Sequence, residues 1–173
     1  MNWKMPAAAL SAALLAGAAY AQAAAPTDPQ IAHIAYTAGA IDIEAGKQAL
    51  AKSRNTDVRA FASEMVRDHQ AVNDQALALV KKLGVTPEAN PTSAALSSSG
   101  KTELTVLAKL DGAAFDKAYV SNEVAYHKTV NGALSGTLIP NARNGELKAL
   151  LTTGLKLFEE HEMHAEHLLA QLK

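Results

Sequence analysis

The sequence predicts an all-α fold, a four-helix bundle with a long connection between helices two and three, on three observations. Its composition is 49% hydrophobic with only 5% aromatic residues, which fits an Ala- and Leu-rich helical core better than packed β-sheets. Four runs of about 25 residues repeat apolar side chains at helical spacing. Between the second and third runs, "VTPEANPTSAALSSSG" collects Pro, Ser, Asn and Gly, and no strand-period segment, repeat or Gly-rich phosphate loop interrupts the pattern. A length of 173 residues is one domain's worth.

The chain opens with "MNWKMPAAALSAALLAGAAYAQA". Lys4, an apolar run from Met5 to Tyr20 and small residues around "AYA" and "AQA" read as a secretory signal peptide over residues 1–23. The apolar run is shorter than the roughly 20 residues a membrane span needs, so no stable membrane span is expected after cleavage; an uncleaved anchor is the competing reading. The mature bundle domain, residues 24–173, is expected in the periplasm or cell envelope. It has no cysteine, so neither a disulfide nor a thiol-linked lipid stabilises or anchors it.

Helix one starts at Thr27 or Asp28, with Pro29 in the first turn where a missing N–H costs nothing, and runs to about Ser53. Helix two is capped by Asn55 or Thr56, carries Phe61, Met65, Val72, Leu79 and Leu83, and ends at Gly84. Residues 85–100 read as a surface connection, followed by a short helical piece around Lys101 to Leu110. A link of that length could run the length of a bundle, which leaves room for a ferritin-like crossover, with up-down-up-down connectivity also open. Helix three repeats Phe115, Val120, Val124, Val130, Leu134 and Leu138 until Pro140, weakened by Gly132 and Gly136. Helix four, from about Gly145, carries Leu147, Leu150, Leu151, Leu155, Phe158, Leu168 and Leu172 on one stripe.

Polar residues interrupt these stripes. His69 follows Phe61 and Met65 at steps of four, His127 lies midway between Val120 and Leu134, and His161 and His164 fall between Phe158 and Leu168, so each occupies a slot where an apolar side chain would be expected. His33 and His167 lie off the stripes and read as solvated. The helix midpoints fall near residues 41, 70, 126 and 158. Glu44, His69, His127 and His161 sit within roughly 5 Å of that level at 1.5 Å rise per residue. One carboxylate and three imidazoles at one height form a ligand set for zinc, iron, copper, nickel or manganese, without selecting among them. Glu123, four before His127, is a further ligand or a hydrogen-bond partner, and His164 could join or replace His161. Asp68 and Glu160, turned about 100° from the neighbouring histidines, suit an orienting role. The competing reading is a metal-free polar layer that fixes helix register.

"SEMVRDHQAVN", "LDGAAFDKAYVSNEVAYH" and the late His161 followed by Ala165 resemble the exported bacterial family known as domain of unknown function 4142, over essentially all the mature chain. That resemblance implies a ferritin-like bundle of the periplasm or outer envelope, with no established reaction. It maps the family's acidic position in helix one to Glu44, its Met and Asp-His to Met65, Asp68 and His69, its Phe-Asp and Tyr to Phe115, Asp116 and Tyr119, and its later histidines to His127 and His161. Two positions depart from the family: Tyr126 stands where an acidic residue is common, and Lys156 where proline is usual. Di-iron proteins of this shape use Glu-x-x-His on two helices, and no Glu-x-x-His occurs in the chain, which argues against ferroxidase or oxygenase chemistry.

A formal net charge of −1 without a basic block gives no electrostatic footprint for nucleic acid. No Ser or Cys nucleophile accompanies the histidines. The expectation is a binding protein more than an enzyme, holding one transition-metal ion through Glu44, His69, His127 and His161. The rival is a metal-free structural or interaction bundle of the envelope. Assembly into a homo-oligomer stays open, and no protein partner is named by the sequence.

Overall fold

The structure, a computed structural model, describes residues 25–172, and they are helical almost throughout; the signal-peptide expectation therefore lies outside the described residues. Helix α1 spans Asp28–Lys52, α2 Thr56–Leu83, α3 Pro91–Ala108 and α4 Gly112–Ala133. A π-helical segment, Leu134–Leu138, carries α4 on into the short α5, Ile139–Asn141, and α6 runs from Gly145 to Gln171. No helix among the described residues is long and apolar enough to cross a membrane.

Local chemistry sets the boundaries. At the start of α1 the Thr27 N–H donates to Gln30 Oε1 (3.2 Å), with Pro29 in the first turn. Asn55 caps α2 by accepting from the N–H groups of Asp57 and Val58, and Gly84 closes it at φ 63°, a left-handed conformation that glycine adopts without a Cβ penalty. Asn144 caps α6 in the same way as Asn55, through Glu146 and Leu147.

Two expectations are corrected here. Residues 85–100 are not an open connection throughout, because Asn90 and Ser93 form a reciprocal capping box and Pro91 opens α3. The Ser-rich composition hides a helix whose support is tertiary: Gly100 lies so close to Ile41 that a Cβ there would meet that side chain at 2.9 Å. Nor does Pro140 stop the third long helix. The chain widens into a π turn just before it, with the Ile139 N–H donating to Leu134 O, and a wider turn relieves the ring clash and missing N–H that Pro imposes on a regular α-turn.

Four long helices form the bundle. The start of α1 meets Asn90 and Asn144, through Gln30 O and the Asp28 carboxylate; its end meets Ala108 O and Asp111 through Lys52. Lys82 at the end of α2 pairs with Glu146 at the start of α6. Thus α1 and α6 run one way, α2 and α4 the other, and α3 carries the chain back along α1 between the two parallel helices. The apolar core has two parts. An upper cluster contains Val58, Phe61, Met65, Leu107, Phe115, Tyr119 and Leu168, and a lower one Ile31, Ile34, Leu134, Leu138, Leu147, Leu151 and Phe158.

Candidate functional site

Between the two clusters lies a layer of buried polar side chains. His69 from α2, His127 from α4 and His161 from α6 are 2%, 1% and 1% exposed. Their rings form a near-equilateral triangle with centroid separations of 5.6 Å (His69–His127), 5.3 Å (His69–His161) and 5.6 Å (His127–His161). One ring nitrogen from each lies within 4.8 Å of the others. The helix periods explain the convergence: His69 extends the Phe61–Met65 row, and Asn73 continues it, so that all four are buried.

An oxygen stands beside a ring nitrogen of every histidine. Asp68 Oδ2 lies 3.1 Å from His161 Nε2, and Glu123 O lies 3.0 Å from His127 Nδ1, with the Glu123 carboxylate 3.6 Å away. Asp42 Oδ2 is 3.4 Å from His69 Nε2. His127 Nε2, His161 Nδ1 and both ring nitrogens of His69 have no hydrogen-bond partner in the protein, Asp42 standing near His69 Nε2 without bonding it, nor do the two carboxyl oxygens of Glu123. Phe158 closes the layer from below, its ring stacked on His69 at 4.6 Å and 12°.

Burial sets the protonation. Desolvation holds His69 well below the usual histidine range, with the neighbouring His127 and His161 adding to the effect; it pushes His127 down to about 4. Desolvation also lowers His161, against the opposing pull of Asp68. All three imidazoles are neutral at pH 7 and offer lone pairs. Burial raises Asp42 to about 8 and Glu123 well above its usual range, the two carboxyls facing each other across α1 and α4. Asp68, nearer the surface, is held low chiefly by its hydrogen bond to Arg67 and stays ionised. No Lys or Arg is buried among the described residues.

The expected constellation is thus brought together in part. Glu44 is corrected: it is exposed, pairs with Lys47 at 2.8 Å and does not face the histidines. Asp42, two residues earlier and about 200° round the helix, is the α1 carboxyl of the layer. The stripe Ile31, Ala38, Ala45, Ala49 passes through Asp42 at helical steps, which is the signal the height criterion overlooked. Glu123 is in the layer and fully buried. His164 is corrected as well, since it points outward to Glu64 Oε2 (2.8 Å) and rests edge-on against Phe61. Asp68 does orient a histidine, but across the helix interface to His161 and not its own neighbour. Glu160 and His167 are exposed, and His33 is half-buried near Thr37. Tyr126, in place of an acid, donates its hydroxyl to Ala38 O at 3.1 Å and fastens α4 to α1 beside the layer.

The sequence profile of one family, described as Domain of unknown function (DUF4142), matches residues 13–168. No curated protein matches the sequence. Among solved structures, a protein from Streptomyces coelicolor described as secreted protein DUF305 superposes with a TM-score of 0.70 at 14% sequence identity, over 82% of this chain and 91% of that one. At that identity the likeness bears on the fold alone, a helical bundle.

Proposed function

The chain belongs to the family described as Domain of unknown function (DUF4142), a membership that brings no reaction with it, and we propose that it is an exported binding protein for a transition-metal ion. His69, His127 and His161 are the ligands, and Asp42 stands in the carboxylate position first assigned to Glu44. The observation that carries this reading is the convergence of neutral, buried imidazoles, each with at least one ring nitrogen that lacks a protein partner, while Asp68 and Glu123 place an oxygen against His161 and His127. Oxygen acceptors behind metal-binding histidines fix ring orientation and raise basicity. A polar layer serving only helix register would be satisfied within itself, and this one leaves six side-chain atoms of His127, His161, His69 and Glu123 without partners. Buried carboxyls with no buried Lys or Arg beside them also favour a cation. Nitrogen-rich ligation with a carboxylate suits zinc, iron, copper, nickel or manganese.

The test is the metal-induced shift in melting temperature of chelator-treated protein. An ion bound only by the assembled bundle stabilises it by about 2.7 kcal/mol at a hundredfold excess over Kd, or roughly 5–10 °C for a domain of this size. His69→Ala, His127→Ala and His161→Ala should each remove most of that shift, whereas Glu44→Ala and His167→Ala should keep it. Lack of a shift with all five metals, or a wild-type response from His69→Ala, returns the layer to a purely structural role.

A further inference from the structure

Below the histidine layer the bundle encloses a recess of about 850 Å³, walled by α1, α2, α3, α4 and α6. Its volume lies within the usual range of small-molecule sites. The core itself registers the space. In the upper cluster ten of twelve members are 0% exposed, whereas in the lower one only Ile31 is, and the other seven keep 3–8%. Small residues create the room: Ala35, Ala38, Ala76, Ala133 and Gly154 line the recess where larger side chains would fill it. A Cβ added at Gly154 would meet only the Phe158 ring, at 3.5 Å.

Among the described residues no Asp, Glu, Lys, Arg or His lines this recess. A charged guest would lose its hydration without gaining a counter-ion, a heavy cost in an apolar setting, so the lining selects against ions. Leu134, Leu138, Leu147, Leu151 and Phe158 present hydrocarbon surface instead. We infer that the recess binds an uncharged, largely hydrocarbon small molecule. This site is separate from the metal reading and holds whether or not an ion binds, although Phe158 in its wall also stacks on His69.

The experiment is a titration of the purified protein with Nile red, a neutral dye whose emission shifts blue in apolar surroundings, followed by competition. Saturable binding near one dye per chain is expected, with decanol displacing it at a concentration at least about tenfold lower than decanoate, equal to about 1.4 kcal/mol. Ala35→Phe and Ala76→Phe, which fill the recess from different helices at half-buried positions, should each weaken dye binding at least about tenfold. Two fillers guard against one variant misfolding, and circular dichroism reports the fold of both. Val106→Ser and Met163→Ser, which remove exposed apolar side chains elsewhere, should bind as wild type. Non-saturable dye uptake, equal displacement by decanol and decanoate, or folded fillers that bind normally would each overturn the inference. So would dimerisation in place of dye binding, abolished by the same fillers, which would assign the recess to a second copy of the chain.

Discussion

Asp42 shows how one carboxyl changes the behaviour of its surroundings. Its raised value, near 8 against an ordinary 3.8, comes from burial, offset in part by the facing Glu123 carboxyl, and Glu123 is raised for the same first reason. In the folded protein these groups keep protons that the unfolded chain has already released, so stability is undiminished below the unfolded value and falls as pH rises through the folded one. The histidines act in the opposite sense: His127, near 4 folded against 6.5 unfolded, reduces stability only as pH drops below that upper value. Between pH 6.5 and 8 the carboxyls act alone. The melting temperature of chelator-treated protein should therefore fall across that interval, and the double variant Asp42→Asn, Glu123→Gln should flatten the slope. Thermal melts at half-unit steps check this, and an unchanged slope in the double variant means the pair does not hold the extra protons.

Close helix packing depends on a few residues without a Cβ. At Gly46 in α1 an added Cβ would lie 2.8 Å from Val66 Cγ2 and 3.0 Å from the backbone oxygen of Ala62, and α2 cannot move that oxygen without moving itself. Gly46→Ala should destabilise the protein by about 1–3 kcal/mol, the usual cost of overpacking, despite the better helix propensity of Ala. Gly132 in α4 has nothing within 4 Å of the same position, so Gly132→Ala should stabilise by roughly 0.5–1 kcal/mol. Opposite shifts in denaturant midpoint are the expected result, and a stabilised Gly46→Ala would show that α1 and α2 separate more readily than their contact implies. The same logic governs α3, whose Ser-rich sequence has little drive to be helical alone and is held against α1 by Gly100 on Ile41, Gln48 on Leu104 O and Lys52 on Ala108 O.

At the scale of the molecule, a tight upper core, a polar middle and a looser lower half are stacked along one bundle axis. The tight end supplies stability, because Phe61, Phe115 and Tyr119 pack there with no exposed surface and truncation of such a buried aromatic residue typically costs about 3–5 kcal/mol. The looser half is free to hold a guest, and the layer between them is reached by residues from α1, α2, α4 and α6. We propose that the whole is delivered outside the inner membrane by the leader read at residues 1–23. Intact mass of the secreted protein should place its first residue between Gln22 and Ala25, while recovery of the full chain in the membrane fraction would favour an anchor.

The helical class, the stop at Gly84, the burial of His69, His127 and His161 and the family were legible in the chain alone, because each rests on local period or on contiguous motifs. The cap of α2 was narrowed to Asn55 or Thr56, and the structure selects Asn55. Height along the bundle pointed to Glu44, although the row Ile31, Ala38, Ala45 and Ala49 passes through Asp42. Both lie at the right height on α1, and only the azimuth at which α1 meets α2 and α4 turns one carboxyl inward and leaves the other beside Lys47. His164 was misjudged for the same reason, since its place on the α6 stripe faces Glu64 at the rim of the interface with α2. The helicity of residues 91–100 and the direction of the crossover also depended on tertiary contacts with α1. The recess depended on them too, because empty space is a property of how small side chains from five helices face one another, and no single stretch of sequence records that arrangement.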